Sequence, residues 1–154
     1  MLPEEKLRQL GLELPSVAAP IANFVNYRRV GEILYLSGQG PRESDGTLHR
    51  GKLGRDLTVE DGYRHARQVG LNLLAVAREA LGGLDGILEV VKLLGMVNAA
   101  PDFTEHPLVI NGCSDLFVEV LGRERGAHAR TAVGLSSLPG NISVEIEAIM
   151  RVDG

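Results

Sequence analysis

The chain has 154 residues and a formal net charge of -4, with a sequence pI of about 5.6. This length suits one domain with its own hydrophobic core and excludes a second domain. Three tyrosines, three phenylalanines, no tryptophan and an acidic balance exclude the basic, aromatic surface that nucleic-acid-binding proteins usually present.

The cysteine content and the N-terminus bear on the cellular compartment. Cys113 is the only cysteine, so no internal disulfide can form. The start, Met-Leu-Pro-Glu-Glu-Lys, lacks the basic residues and the apolar run of a signal peptide. Lys92, Gly95 and Asn98 interrupt the most apolar region, which is therefore too short to span a membrane. We expect a cytoplasmic protein.

The first predicted elements are a helix and a hairpin. Residues 3–10 suit a short peripheral helix within an N-terminal extension of about 1–19, because a proline and two acids occupy its first turn and a glycine follows its end. β-branched and aromatic residues over 24–27 and 32–36 predict two strands joined by a turn near Gly31.

Two longer helices are predicted on either side of an apolar strand. The first begins with a capping box at Thr58 and ends before Gly82. Residues 87–97 are nearly continuous in apolar side chains, as in a strand that is covered on both faces. The second helix runs over about 106–121 and stops at a glycine, and the charged run 123–126 predicts an exposed loop.

The C-terminal part, residues 129–149, predicts two strands around a Pro-Gly-Asn turn, because apolar side chains alternate on both sides of the turn. An antiparallel register centred near Ser137 and Leu138 would place Arg130 opposite Glu145. A guanidinium can hold a small carboxylate by two parallel hydrogen bonds, and a nearby glutamate can position or deprotonate a water. The same pair also suits a structural ion pair or two solvated charges.

The order of elements is strand, strand, helix, strand, helix, strand, strand, without an internal repeat. This order predicts an α+β fold, a mixed β-sheet with two helices packed on one face. The residues are interpreted as a single domain over 1–154.

The C-terminal motif resembles a known family. The run Ala-Arg-Thr from Ala129, six further residues, Leu-Pro-Gly, and then Val-Glu-Ile-Glu-Ala-Ile from Val144 is similar to the signature of the RidA family, also called YjgF or L-PSP endoribonuclease. Ser37-Gly38-Gln39 and Asn111 match it too. The resemblance covers roughly residues 20–150. It implies a RidA-like, chorismate mutase-like fold that assembles as a homotrimer with clefts between subunits.

The resemblance also implies a chemistry. Members of the family hydrolyse reactive enamines and imines of amino acids, of the 2-iminobutanoate and 2-iminopropanoate type, to 2-ketoacids and ammonia. By this resemblance Arg130 binds the substrate carboxylate and Glu145 holds the water that adds to the imine carbon. No metal or organic cofactor is implied. The implied pocket lining is Ser37, the backbone of Gly38, Asn111 and the backbone around Ala132.

Two departures from the family pattern concern the substrate. Phe24 occupies the place of a tyrosine that the family often has, so a hydroxyl that could bond substrate or water is lost. The segment between Phe103 and Asn111 is longer than in shorter members, which predicts a reshaped pocket and a different or larger substrate.

The sequence also suits other functions and contains other candidate residues. A non-catalytic module that binds a small carboxylate such as a 2-ketoacid would use the same cleft, and an endoribonuclease or translation inhibitor is disfavoured by the acidic pI. Cys113 lies on a predicted apolar stripe, so a buried side chain is favoured over a nucleophile. The four histidines lack metal-ligand spacing, and His128 is interpreted as a surface residue or as a neighbour of the pocket.

Overall fold

The computed structural model describes residues 1–154 as three helices and five strands. The helices are α1 (Pro3–Gln9), α2 (Val59–Leu81) and α3 (His106–Gly126), and a 3-10 turn covers Pro139–Asn141. The strands are β1 (Tyr27–Val30), β2 (Ile33–Gln39), β3 (Ile87–Asn98), β4 (Ala129–Leu135) and β5 (Val144–Val152). No helix is both long and apolar enough to cross a membrane.

The five strands form one mixed sheet in the order β1-β2-β5-β3-β4. The β3 and β4 strands run parallel, and the other neighbours are antiparallel. The α3 helix connects β3 to β4, which is the usual crossover between parallel strands. The prediction of an α+β fold with a mixed sheet is therefore confirmed.

The predicted hairpin of the last two strands is wrong. Strands β4 and β5 do not pair, because β3 lies between them and forms hydrogen bonds with both. The apolar β3 strand has a hydrogen-bonded neighbour on each side in this order, as its nearly continuous apolar sequence requires. The Pro139–Asn141 turn is instead part of a connection that crosses over the end of β3.

Both long helices cover one face of the sheet. The inward side chains of β5 alternate along the strand and are all buried, and they belong to one core cluster with apolar residues of α2 and α3. The two helices approach closely at Gly112, where an added Cβ would meet the backbone of Tyr63. Gly70 packs in the same way against Leu116 and Cys113.

The ends of the helices follow local signals, with one exception. The Thr58 hydroxyl accepts from the Asp61 N–H at 3.1 Å, and the Asp61 carboxylate accepts from the Thr58 N–H at 2.9 Å, so the capping box is present. Gly82 ends α2 with a left-handed φ of 77°. The predicted loop over 123–126 is wrong, because the chain resumes a helical turn after a break at Gly122 (φ 81°). Arg125 helps to anchor that turn by donating to the Ile87 carbonyl at 3.2 Å.

The α1 helix packs into the domain rather than lying at its periphery. Leu7 is buried within the core cluster. The Glu4 carboxylate accepts from the Arg78 guanidinium at 3.0 and 2.8 Å and from the Leu84 N–H at 3.0 Å. These contacts tie the N-terminus to the end of α2.

The opposite face of the sheet carries no helix and exposes apolar side chains. Tyr35 on β2 and Val133 on β4 are among the exposed large hydrophobic residues. Partly buried Met96 and Ile149 lie on the same face, since they alternate with the inward residues of β3 and β5. Exposed apolar side chains on an uncovered sheet face, here beside Glu145 and Glu147 of β5, are typical of an interaction surface.

A pair of stacked histidines joins α2 to the long loop that precedes it. The rings of His49 and His65 are 4.3 Å apart and nearly parallel. The Nδ1 atom of His65 lies 2.8 Å from the Ser143 hydroxyl, and Nε2 of His49 lies 2.9 Å from the Glu43 carboxylate. Burial lowers the pKa of His65 to about 4, and the neighbouring His49 contributes in the same direction.

The lowered pKa of His65 predicts that the fold is less stable in acid. Below pH 6.5 the unfolded chain binds a proton at His65, whereas the folded chain binds it only near the folded pKa of about 4, so acid favours unfolding. We expect His65 to reduce the free energy of unfolding by about 3 kcal/mol by pH 4. Urea denaturation of wild type and His65→Asn at pH 7 and pH 4.5 measures the loss in free energy of unfolding, which should be smaller in the variant. Equal losses of stability in both proteins would contradict the prediction.

Candidate functional site

Arg130 lies on the edge strand β4 and points toward α3. Its Nη1 donates to Asn111 Oδ1 at 2.8 Å and to the Ser114 hydroxyl at 3.2 Å, and its Nη2 donates to the Pro107 carbonyl at 3.4 Å. All three partners are neutral, and none of the salt bridges in the chain includes Arg130. The guanidinium is therefore oriented while its charge stays available to an anion.

A second layer of hydrogen bonds supports this arginine. The His128 ring bonds the Gly126 carbonyl through Nδ1 at 2.6 Å and the Ser114 hydroxyl through Nε2 at 2.9 Å. Because Nδ1 must donate to the carbonyl, a neutral ring accepts the Ser114 proton at Nε2, and the hydroxyl oxygen can accept from Arg130. Burial lowers the pKa of His128, which favours the neutral ring. Ser114 was not predicted as a site residue, although its spacing of three residues from Asn111 places both on one face of a helix.

Glu145 lies on β5 and points to the open face of the sheet. It is opposite Met96 of β3, and a Cβ added to Gly38 would come within 2.7 Å of its Oε2 atom. Burial raises the pKa of Glu145, and the charge of Glu147, two residues along the same face, raises it further. No hydrogen bond within the chain satisfies this carboxylate, so it is poised to take a proton or hold a water.

The remaining predicted residues lie in two groups, one near Glu145 and the other near Arg130. The Ser37 hydroxyl donates to the Val25 carbonyl at 2.6 Å and its N–H donates to the Asn26 carbonyl at 2.9 Å, which holds the loop that carries Phe24. Phe24 is 45% exposed. These residues lie at the β2 side with Gly38, whereas Ala132 lies on β4 two residues after Arg130 and faces α3 with it.

A single chain does not bring Arg130 and Glu145 together. Arg130 is opposite Leu93 on β3, and the neighbour of Leu93 on β5 is Ala148, which faces the helices. Glu145 is opposite Met96, which faces away from the helices. The two side chains therefore project from opposite faces of the sheet, and their predicted pairing across a hairpin is wrong.

The structure also bears on the histidines and on the cysteine. No group of three His, Cys, Asp or Glu side chains could hold a metal ion. Cys113 is fully buried, and burial raises the pKa of its thiol, so the prediction of a buried cysteine is confirmed.

Comparison with known proteins identifies the family. The family model described as "YjgF/chorismate mutase-like, putative endoribonuclease" matches residues 4–147. The chain belongs to this YjgF/RidA family. The match begins at the N-terminal helix α1 and includes both groups of candidate residues, so the resemblance that the C-terminal motif suggested is confirmed.

Relatives of similar length support the same assignment. Protein TCP17 of Trypanosoma cruzi is 44% identical over 147 residues, which cover 96% of this chain and 92% of that protein. A crystal structure of an Agrobacterium tumefaciens protein of unknown function is 46% identical, with a TM-score of 0.89 over 99% of this chain and 94% of that one. A Shewanella oneidensis structure named as a putative endoribonuclease is 37% identical, with a TM-score of 0.94 over 99% of this chain and 100% of that one.

Proposed function

We propose that the protein is an enamine/imine deaminase that hydrolyses 2-imino acids to 2-ketoacids and ammonia. The observation that carries the proposal is the guanidinium of Arg130, which Asn111, Ser114 and the Pro107 carbonyl orient without neutralising. An oriented, unpaired guanidinium suits a planar carboxylate, and a 2-imino acid presents one beside its C=N bond. The RidA family membership supports the same chemistry.

Glu145 is proposed to act on water. A carboxylate with a raised pKa can take a proton from water at neutral pH as the oxygen adds to the imine carbon. The nitrogen takes up a proton, and collapse of the carbinolamine then breaks the C–N bond and releases ammonia and the ketoacid. An enamine substrate first takes a proton on carbon to become the imine. The protonated Glu145 returns the water proton to the imine nitrogen, and it transfers the carbinolamine hydroxyl proton to the same nitrogen when the C–N bond breaks.

The complete site is proposed to lie between two copies of the chain. Arg130 faces the helices and Glu145 faces the open side of the sheet, so a pocket with both needs Arg130 from one copy and Glu145 from another. The exposed apolar sheet face supplies a surface for such an assembly. A homotrimer of the RidA type would bring the edge strand β4 of one copy to the Ser37 and Gly38 side of the next.

A second candidate function is a non-catalytic module that binds a 2-ketoacid. Phe24 favours it, because a phenyl ring replaces the tyrosine hydroxyl that could bond substrate or water. Arg130 would still bind the carboxylate of a ketoacid. The endoribonuclease in the family description has less support here, since the net charge is -4 and no basic surface is evident in the composition.

The test is the rate of ketoacid release from 2-imino acids that an amino-acid oxidase generates in the assay. We expect the purified protein to accelerate release clearly above the spontaneous rate, in a manner proportional to protein concentration. No acceleration, combined with a rise in melting temperature on adding 2-ketobutanoate, would replace the enzyme by the binding module. A parallel incubation with RNA tests the third function, and intact RNA is the expected result.

A further inference from the structure

His106 begins α3 and lies directly over the edge strand β4. A Cβ added to Gly134 would collide with the His106 ring, whose Nε2 is the nearest atom and whose Cδ2 would lie at 2.9 Å. The ring of Phe103 meets the His106 ring edge-on, with the centroids 5.2 Å apart. Phe103 in turn packs closely against Gly54. The imidazole is thus placed by packing and needs a glycine beneath it.

The imidazole of His106 is otherwise unused within the chain. Neither ring nitrogen has a hydrogen-bond partner, although the ring is partly buried. The other three histidines each bond a side chain or a carbonyl oxygen through at least one ring nitrogen. An imidazole that is held by packing and has no hydrogen-bond partner of its own can bond a polar group of a ligand.

His106 borders the same strip of β4 as Arg130. Arg130, Ala132 and Gly134 alternate along the strand and all face α3, so the strip between the two polar side chains carries only a methyl group and a hydrogen. The rise of a β-strand places the Cα atoms of Arg130 and Gly134 about 13 Å apart along β4, and the Arg130 side chain spans part of this distance. The residue after His106 supplies the Pro107 carbonyl that accepts from Arg130. A ligand whose carboxylate binds Arg130 can therefore extend along this strip toward the imidazole.

We propose that His106 determines substrate specificity by hydrogen-bonding the polar end of the substrate side chain. This inference rests on the proposed function and names its substrate class, which is 2-imino acids whose side chains carry a hydroxyl or a carboxamide. The segment between Phe103 and Asn111, for which the sequence predicts a reshaped pocket, carries this histidine.

The test compares the imines of glutamine and methionine, whose side chains have similar length but differ in hydrogen-bonding groups. We expect wild type to favour the glutamine-derived imine in kcat/KM. His106→Ala removes the imidazole, and Gly134→Ala displaces it, since the added methyl group occupies the position of the ring. Both changes should lower the ratio of the two kcat/KM values about tenfold, the effect of one hydrogen bond.

Leu108→Ala is the matched control, because Leu108 is exposed in the first turn of the same helix. It should leave the ratio unchanged. Thermal melting of each variant reports whether it is folded. Hydrolysis by wild type with a ratio that neither His106→Ala nor Gly134→Ala alters would overturn this inference and leave the deaminase intact. Absence of hydrolysis by wild type would overturn both.

Discussion

Arg130→Ala is expected to lower kcat/KM for 2-imino acid hydrolysis at least about a hundredfold, because the substrate carboxylate loses its charged partner. The fold should persist, since the partners of the guanidinium are neutral groups at the partly exposed edge of α3 and β4. Initial rates of ketoacid release, together with thermal melting, measure both parts of this prediction.

Two further variants accompany Arg130→Ala. Arg130→Lys separates the charge of the side chain from its geometry, and Arg64→Ala is the control for the loss of an arginine elsewhere. Lysine keeps the positive charge but loses the planar fork that bonds Asn111 and Ser114, so we expect an intermediate rate. Arg64 is an exposed arginine of α2 that pairs with Asp61, and its replacement should leave the rate unchanged. A rate for Arg130→Ala close to that of wild type would exclude the carboxylate-binding role.

Mixing two inactive variants is expected to restore activity. Arg130→Ala and Glu145→Gln should each be inactive alone, because each removes one half of every site. In mixed assemblies some sites receive Arg130 and Glu145 from different copies. Random mixing at equal amounts restores about a quarter of the wild-type activity when each site takes one residue from each of two neighbours. Co-expression with two affinity tags isolates the mixed assemblies, and in a mixed trimer one site of three is complete, so about a third of the wild-type activity is expected in that fraction.

Two controls accompany the mixing experiment. Glu145→Gln should be at least as stable as wild type at neutral pH, since the raised pKa shows that folding disfavours the charged carboxylate. Glu147→Gln, on the same face of β5 but more exposed, should retain activity. Mixed assemblies that contain both tags but remain inactive would exclude a site shared between two copies.

Several elements could be predicted because their signals are local. The α2 helix begins with Thr58 and Asp61 in a capping box and ends at Gly82, and each signal lies within a few residues of the boundary that it sets. The alternation along β5 assigned its inner and outer faces correctly, because successive side chains of a strand point to opposite sides. The C-terminal motif identified the family for a different reason, since it is long enough to be specific.

The pairing of the strands could not be predicted in the same way. Arg130 and Glu145 are close in sequence and flank a turn, which favoured a hairpin. In the structure β3 takes the place between β4 and β5, and the parallel crossover through α3 sets the register of Arg130 against Leu93. Strand pairing depends on contacts that are remote in sequence, so the period of the side chains does not reveal the neighbour of a strand.

The sequence by itself therefore determined most of the helical segments, the faces of the strands, the family and the residue types of the candidate site. The tertiary structure alone decided that Arg130 and Glu145 face opposite sides of the sheet, that Ser114 and His128 support the guanidinium, and that His106 lies over Gly134. The physical reason is that local signals act within a turn or a strand, whereas the composition of a site depends on which remote elements pack together.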